Sequence, residues 1–414
     1  MPTAVADLPE ELVVDFDVFD PSLCIPEDTF QQHTAELAAK APVLYSTAHG
    51  GHWLVTRYNV VREVLNDPER FSSFPNLVTG AAPAKFLPLE TDPPEHTAYR
   101  DVLRPMFNPK RMNALETEIR EIVTELIDGF IERGECEFVS DFAHELPAHV
   151  FLAQMGLPYE DAPHFTDWSQ KMIVGKPGGT DEESQEVRMQ VMVEIAGYFA
   201  KVIEARRGEE LGPDSDVTSV MINTPAKFPD GERLLADDEL MRTFILVLIA
   251  GLHTTQGSLA WGIMHMSQSP GARAKLIEDP ELLPYAIEEI LRIEAAVSPG
   301  RRATRDTELG GVEIRQDDQL VLLLSSANRD ESEFEDPDAV RFGREHNRHL
   351  SFGSGEHRCI GAHLARVELR IAFEEIHKRL PDYELAGPPI FHPSQTRGAL
   401  AMPIRFTPGE KSTA

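Results

Sequence analysis

The sequence predicts a mainly α chain with a smaller β region, organised as one domain over residues 1–414. Three observations carry this. Between His96 and Arg292 apolar residues recur at helical spacing. Short β-branched and aromatic segments flank that helical block on both sides. No stretch is flexible enough to require a domain boundary.

The elements follow in order. Residues 52–58 (HWLVTRY) read as a short strand. From Asn59, NVVREVLNDPERF reads as a short helix stopped by Pro68. Residues 74–94, rich in proline, glycine and alanine, predict an irregular loop, and long loops inside compact domains are usually functional or disordered. Residues 113–133 set Leu115, Ile119, Ile122, Val123, Leu126, Ile127 and Phe130 on one helical face, and residues 185–207 read similarly. Residues 212–237 predict a polar connection containing at least one short helix.

A long helix then begins near Asp237, with Asp238 and Glu239 at the positive end of its dipole, and runs to about Gln268, just before Pro270. Its length is roughly 48 Å at 1.5 Å per residue. Its middle, FILVLIAGL, is apolar all round and predicts burial through the centre of the molecule. After Arg292, GGVEI and QLVLLLSSA read as strands and turns, and residues 328–349 are polar with little periodicity. A last long helix starts near Gly361 and reaches Leu380.

Charge and cysteine content exclude several functions. The chain carries 69 acidic against 39 basic side chains, a net charge of −30, with 42% apolar residues to fill a core. That balance is wrong for nucleic acid and for an anionic membrane surface, both of which need a basic footprint. The longest strongly apolar run, residues 244–252, is about half of the ~20 residues a membrane span needs. The acidic amino-terminal segment lacks the order of a secretion signal. Three cysteines, Cys24, Cys136 and Cys359, cannot build a disulfide framework, so a reducing, cytoplasmic compartment is expected.

Residues 352–361, FGSGEHRCIG, are the sharpest signal. Phe352, Gly353, Gly355, His357, Cys359 and Gly361 match one pattern, whose chance occurrence in such a chain is on the order of one in a million. The glycines allow tight turns and close approach to a planar ligand. Cys359 lies just ahead of a helix start, where dipole and amides stabilise a thiolate. With no second cysteine or histidine cluster nearby, a lone thiolate suits haem iron better than zinc.

This loop resembles the haem-binding signature of the cytochrome P-450 family, and the resemblance extends over nearly the whole chain, closest to the soluble bacterial class and its camphor hydroxylase group. It implies that family's fold, a long central helix over haem b, and Cys359 as iron ligand. Glu289 and Arg292 resemble the family's glutamate-x-x-arginine pair, with Arg344 as third partner in a structural cluster. DPPEHTAYR (His96, Arg100) and PGRRATRD (Arg301) resemble propionate-binding segments, so His96, Arg100, Arg301 and His357 are the implied anchors for two carboxylates. AGLHTT resembles the oxygen-side motif: Ala250 and Gly251 border the haem, and Thr254 takes the position that handles oxygen and protons. His253 stands where the family usually has an acid. It either relays protons or faces away while another route supplies them.

The implied reaction is monooxygenation with O2 and two electrons. No flavin or iron–sulfur segment is visible, so a ferredoxin and ferredoxin reductase are the implied partners, with Arg104, Lys110, Arg348 and Arg358 as a candidate docking patch. A peroxide-driven peroxygenase and a non-catalytic haem sensor are the alternatives. Candidate substrate residues are Ala84, Phe86, Leu89, Leu246, Ile249, Ala250, Val297, Gln395 and Thr396. Ala84 replaces the hydrogen-bonding tyrosine of the camphor group, which argues against camphor. The mostly apolar set fits a small terpenoid or aromatic, with Gln395 and Thr396 as polar contacts.

Overall fold

The computed structural model describes residue 3 and residues 5–79, 84–212 and 215–412. The chain forms two compact units, neither continuous in sequence. One comprises Met1–Thr97, Glu288–Cys359 and Phe391–Arg397; the other comprises Ala98–Ile287, Ile360–Ile390 and Gly398–Ala414.

The first unit is built on a six-stranded mixed sheet. Its strands are β1 (Val13–Val14), β2 (Val43–Ser46), β3 (His52–Val55), β4 (Phe71–Ser72), β5 (Gly300–Ala303) and β6 (Gln319–Leu322), in the order β1-β2-β3-β6-β5-β4. β3 and β6 pair in parallel, with Trp53 opposite Leu320. β2, β3 and β6 are buried along most of their length, which explains their near-continuous apolar runs. The helix Tyr58–Leu65 lays Tyr58, Val61, Val64 and Leu65 into the same core. The segment read as GGVEI closes a hairpin, Thr307–Leu309 against Val312–Ile314, through Gly310 and Gly311 at positive φ.

The second unit is helical. The long helix spans Asp237–Gln268 as expected, and packs against Glu145–Met155, Ala162–Val174, Asp181–Arg206 and Ala362–Arg379. Phe199 and Phe244 stack at 4.5 Å. Gly262 lets the helix approach Ala362–Arg379, because a Cβ there would meet the Phe373 ring at 2.2 Å. By length and composition this helix could cross a membrane, but 67% of its most apolar window is buried inside the protein.

One expectation needs correction. Residues 113–133 are not one helix. Asn108 caps a first helix, Pro109–Ala114, by accepting from the Arg111 amide at 3.0 Å; a second runs Glu116–Asp128, and a 3₁₀ turn follows at Ile131–Arg133. The connection after residue 212 holds a short helix as expected, Val217–Asn223, and also a hairpin, Ala226–Phe228 with Gly231–Arg233; residues 213–214 lie outside the described residues. In the predicted loop 74–94 the described residues form turns without helix or strand, while residues 80–83 lie outside the described set.

Candidate active site

The cysteine loop is fixed by its own backbone. The Gly353 amide donates to Leu350 O at 2.7 Å, Arg358 to Gly355 O at 3.1 Å, and Cys359 to half-buried Phe352 at 2.7 Å. Gly353 and Gly355 sit at φ of 70° and 68°, where other side chains are strained. At Gly355 a Cβ would also lie 2.7 Å from the Leu65 carbonyl. Gly361 caps the helix Ala362–Arg379. Cys359 is exposed, whereas Cys24 and Cys136 are buried. Burial pushes the Cys24 thiol up to about 12 and raises Cys136 further, so neither is a thiolate at neutral pH.

Within the same unit a set of anion-binding groups assembles. The His96 and His357 rings lie 4.1 Å apart, centroid to centroid. The His357 Nε2 is 2.9 Å from Ser73 Oγ. Arg301 is 3% exposed; Nη1 donates to the Gly300 carbonyl at 2.7 Å, and the guanidinium makes no other hydrogen bond among the described residues. Burial lowers its pKa to about 10, opposed by the nearby Asp92 carboxylate. Arg100 stands one turn after His96 on the helix Glu95–Leu103 and belongs to the second unit. The donors of the first unit comprise an accessible thiol, two imidazoles and a desolvated guanidinium. That chemistry fits a metal–thiolate bond plus carboxylates, as a haem presents.

Glu289 and Arg292 are fully buried and paired fork to fork, at 2.8 Å for each of two bonds. Arg344 Nε adds a third contact to Glu289 at 3.0 Å. Burial alone would raise the Glu289 pKa, but Arg292, the Arg341 amide and Arg344 together hold it below the ordinary value. Arg292 Nη1 also donates to the carbonyls of Asn328 and Pro337, tying the polar stretch to its helix.

In the second unit, the expectation of all-round burial for the long helix is corrected at its middle. Phe244, Ile245, Leu248 and Leu252 are buried, but Leu246, Ile249 and Thr254 are half-buried and Ala250 and Gly251 are exposed. Leu246, Ala250 and Thr254 are spaced by four, so the exposure forms one stripe. The Thr254 hydroxyl donates back to the Ala250 carbonyl at 2.9 Å. His253 is buried on another face, where its Nε2 lies 2.5 Å from the place a Gly398 Cβ would occupy. It lines a cavity of about 10 Å³, the size for one water, with His144, Thr166, Ser169 and Gln170.

Substrate candidates divide. Ala84 is exposed, and Phe86, Leu89, Val297 and Thr396 are half-buried, with Val297 and Thr396 bridged antiparallel. Gln395 is corrected as a polar substrate contact. Its Oε1 accepts from the Val78 amide at 2.9 Å and its Nε2 donates to the Asn76 and Ser298 carbonyls, so its amide is already used. Of the candidate docking cations, Arg104 pairs with Asp101 and Arg348 with Glu333. Sequence reasoning missed Ser73, the His357 partner, because a serine 284 residues away carries no local signal.

The chain is similar to known proteins over most of its length. The cytochrome P450 family model matches residues 180–380. A steroid C26-monooxygenase of Mycolicibacterium smegmatis is 34% identical over 357 residues, 85% of this chain and 87% of that protein. Cytochrome P450-terp of a Pseudomonas species is 33% identical over 382 residues, 89% and 85% of the two chains. The crystal structure of cytochrome P450 CYP101C1 superposes with a TM-score of 0.86 at 30% identity, covering 98% of this chain and all of that one. The chain belongs to the cytochrome P450 family. It is a monooxygenase whose cofactor is haem with an axial cysteine thiolate, acting on an organic substrate with O2.

Proposed function

We propose that the chain hydroxylates a small hydrophobic molecule, a terpenoid or aromatic, using electrons from a ferredoxin and its reductase in the cytoplasm, with Cys359 as the iron ligand. The observation that carries the reading is the exposed Cys359 in its fixed loop, set against two buried, protonated thiols. The haem, when bound, activates O2 so that one oxygen atom enters a substrate C–H bond and the other leaves as water, consuming two electrons and two protons.

The chain's own residues do the rest. Arg301, His357, His96 and Arg100 hold the carboxylates of the haem. Leu246, Ile249 and Ala250 contact the substrate in this reading, as do Phe86, Leu89, Val297 and Thr396. The Thr254 hydroxyl gives up its bond to Ala250 O to hold a proton at Oγ1, and its lone pairs accept from water. His253 faces another side of the helix, beside Gly398 and a water-sized cavity, which supports the reading in which another route supplies the protons. The P450-terp relative supports a terpenoid, and the steroid monooxygenase widens the range to larger apolar skeletons.

The test is the carbon monoxide difference spectrum of the reduced protein. The wild type is expected to give the long-wavelength Soret band of thiolate ligation, and Cys359→His to move it to the position of neutral-ligand haems. A band unchanged by that substitution assigns the ligand elsewhere and ends the reading. Because His253 does not lie on the stripe with Thr254, a peroxide-driven reaction is the second reading. Turnover with peroxide alone, faster than with reduced ferredoxin and O2, would select it.

A further inference from the structure

A buried carboxylate in the first unit has no part in the mechanism above. Glu90 is 2% exposed in an apolar segment, FLPLETDPP. Its Oε1 accepts from the Asn76 amide and its Oε2 from the Phe86 amide, both at 2.9 Å. The Glu90 amide in turn donates to Phe86 O at 2.8 Å. One side chain therefore fixes two backbone positions ten residues apart.

Asn76 extends the frame. Its carbonyl accepts from Gln395 Nε2 at 3.1 Å, and its Oδ1 accepts from the Gly300 amide at 3.2 Å. Gly300 must be glycine for this, since a Cβ would lie 2.0 Å from Asn76 O. Gln395 binds the Val78 amide and the Ser298 carbonyl, and its own carbonyl accepts from the Ser298 amide at 2.7 Å. Ser298 follows Val297, and Thr396 follows Gln395. The half-buried residues Phe86, Val297 and Thr396 are thus hung on one buried hydrogen-bond network, each within one residue of a member. Such networks fix a single geometry when every group is satisfied.

We propose that Glu90 is a positioning residue for substrate selectivity: through Asn76 and Gln395 it sets where Phe86, Val297 and Thr396 stand. This rests on the reading of those three side chains as substrate-lining. Only a carboxylate serves here, because both of its oxygens face N–H donors. Glutamine would keep one acceptor and turn an NH2 toward the other donor.

The experiment uses the haem-loaded protein, two azoles that ligate haem iron, and the isosteric variant Glu90→Gln. Imidazole reports access to the iron alone, and 4-phenylimidazole adds a ring that must fit the surrounding side chains. Glu90→Gln is expected to raise hydrogen exchange at the Asn76 and Phe86 amides at least tenfold. It is also expected to change the ratio of the two dissociation constants at least fivefold, with that for imidazole within twofold of wild type. Gln395→Glu keeps the acceptor for Val78 but removes the donor to Asn76 and Ser298, and should shift the ratio as well. It decides the matter if Glu90→Gln does not fold.

Unchanged exchange would show that Glu90 does not hold the two amides. Faster exchange with an unchanged azole ratio would show that the frame does not position the pocket. Either result overturns the proposal while leaving the haem reading intact. If neither azole shifts the Soret band of the wild type, no open path leads to the iron, and the reading of Phe86, Val297 and Thr396 as substrate-lining falls.

Discussion

Arg301 carries a charge that burial opposes, as its lowered pKa records, and within its own unit Asp92 is the charge that offsets this. The side chain is on β5, where Arg301 pairs with Leu320 of β6, and its Nη1 donates to the Gly300 carbonyl at 2.7 Å. A guanidinium buried this deeply weakens the fold unless an anion meets it. A bound anion would offset that cost, and under the proposed function it is a haem carboxylate. Arg301→Gln is expected to leave the urea midpoint of the protein unchanged or slightly higher, while haem transfer to excess apomyoglobin becomes at least tenfold faster, equivalent to about 1.4 kcal/mol of lost affinity. A large fall in the midpoint with unchanged haem loss would make Arg301 a structural residue. Glu289 and Arg292 present the opposite case, with each charge satisfied by the other and by backbone groups, which suits a purely structural role.

The long helix shows how much an element's sequence reveals. Its ends were readable because acids crowd the first turn and Pro270 blocks continuation. Its open stripe was readable only through the family resemblance, because Leu246, Ile249 and Ala250 are as apolar as their buried neighbours and composition alone cannot separate an open face from a packed one. The start of the helix is held by Glu239, which accepts from the Ala236 amide at 2.8 Å, from Tyr99 Oη at 2.8 Å and from both Nη atoms of Arg233. The Arg233 bonds, helped by the amide and the phenol and opposed by burial, hold this carboxyl at about 2 instead of 4.5. A depressed carboxylate contributes stability that is complete above the unfolded value and is lost as pH falls toward the folded one. The stake is at most about 3 kcal/mol. Glu239→Gln should therefore lower the urea midpoint clearly at pH 7 and by the same amount at pH 6, with the gap from wild type closing between pH 4.5 and 2. A gap independent of pH would assign the loss to packing.

At the scale of the whole molecule, local patterns were legible and distant ones were not. The cysteine loop, the glutamate-x-x-arginine pair and AGLHTT each lie within ten residues, so spacing alone exposes them. Ser73 with His357, and Asn76 with Gln395, join residues 284 and 319 positions apart, which only the folded chain brings together. Glu90 did leave a trace, an acid inside an apolar run, but not the identity of its partners. The net charge of −30 poses a related problem of scale for the proposed ferredoxin partner, because an acidic protein would be repelled at long range and would have to be drawn in locally. Arg104 pairs with Asp101 and Arg348 with Glu333, while Arg358 adjoins the proposed iron ligand Cys359 and is exposed, so its charge lies closest to where an electron donor must approach. Arg358→Glu is expected to slow ferredoxin-driven turnover about five- to tenfold at low salt, and Arg104→Glu less than twofold. The difference should shrink at ~0.5 M salt, where screening removes attraction and repulsion alike. Peroxide-driven turnover should be unaffected by either change. If Arg358→Glu slows both reactions equally at every salt concentration, the residue serves the cysteine loop rather than the encounter with an electron donor.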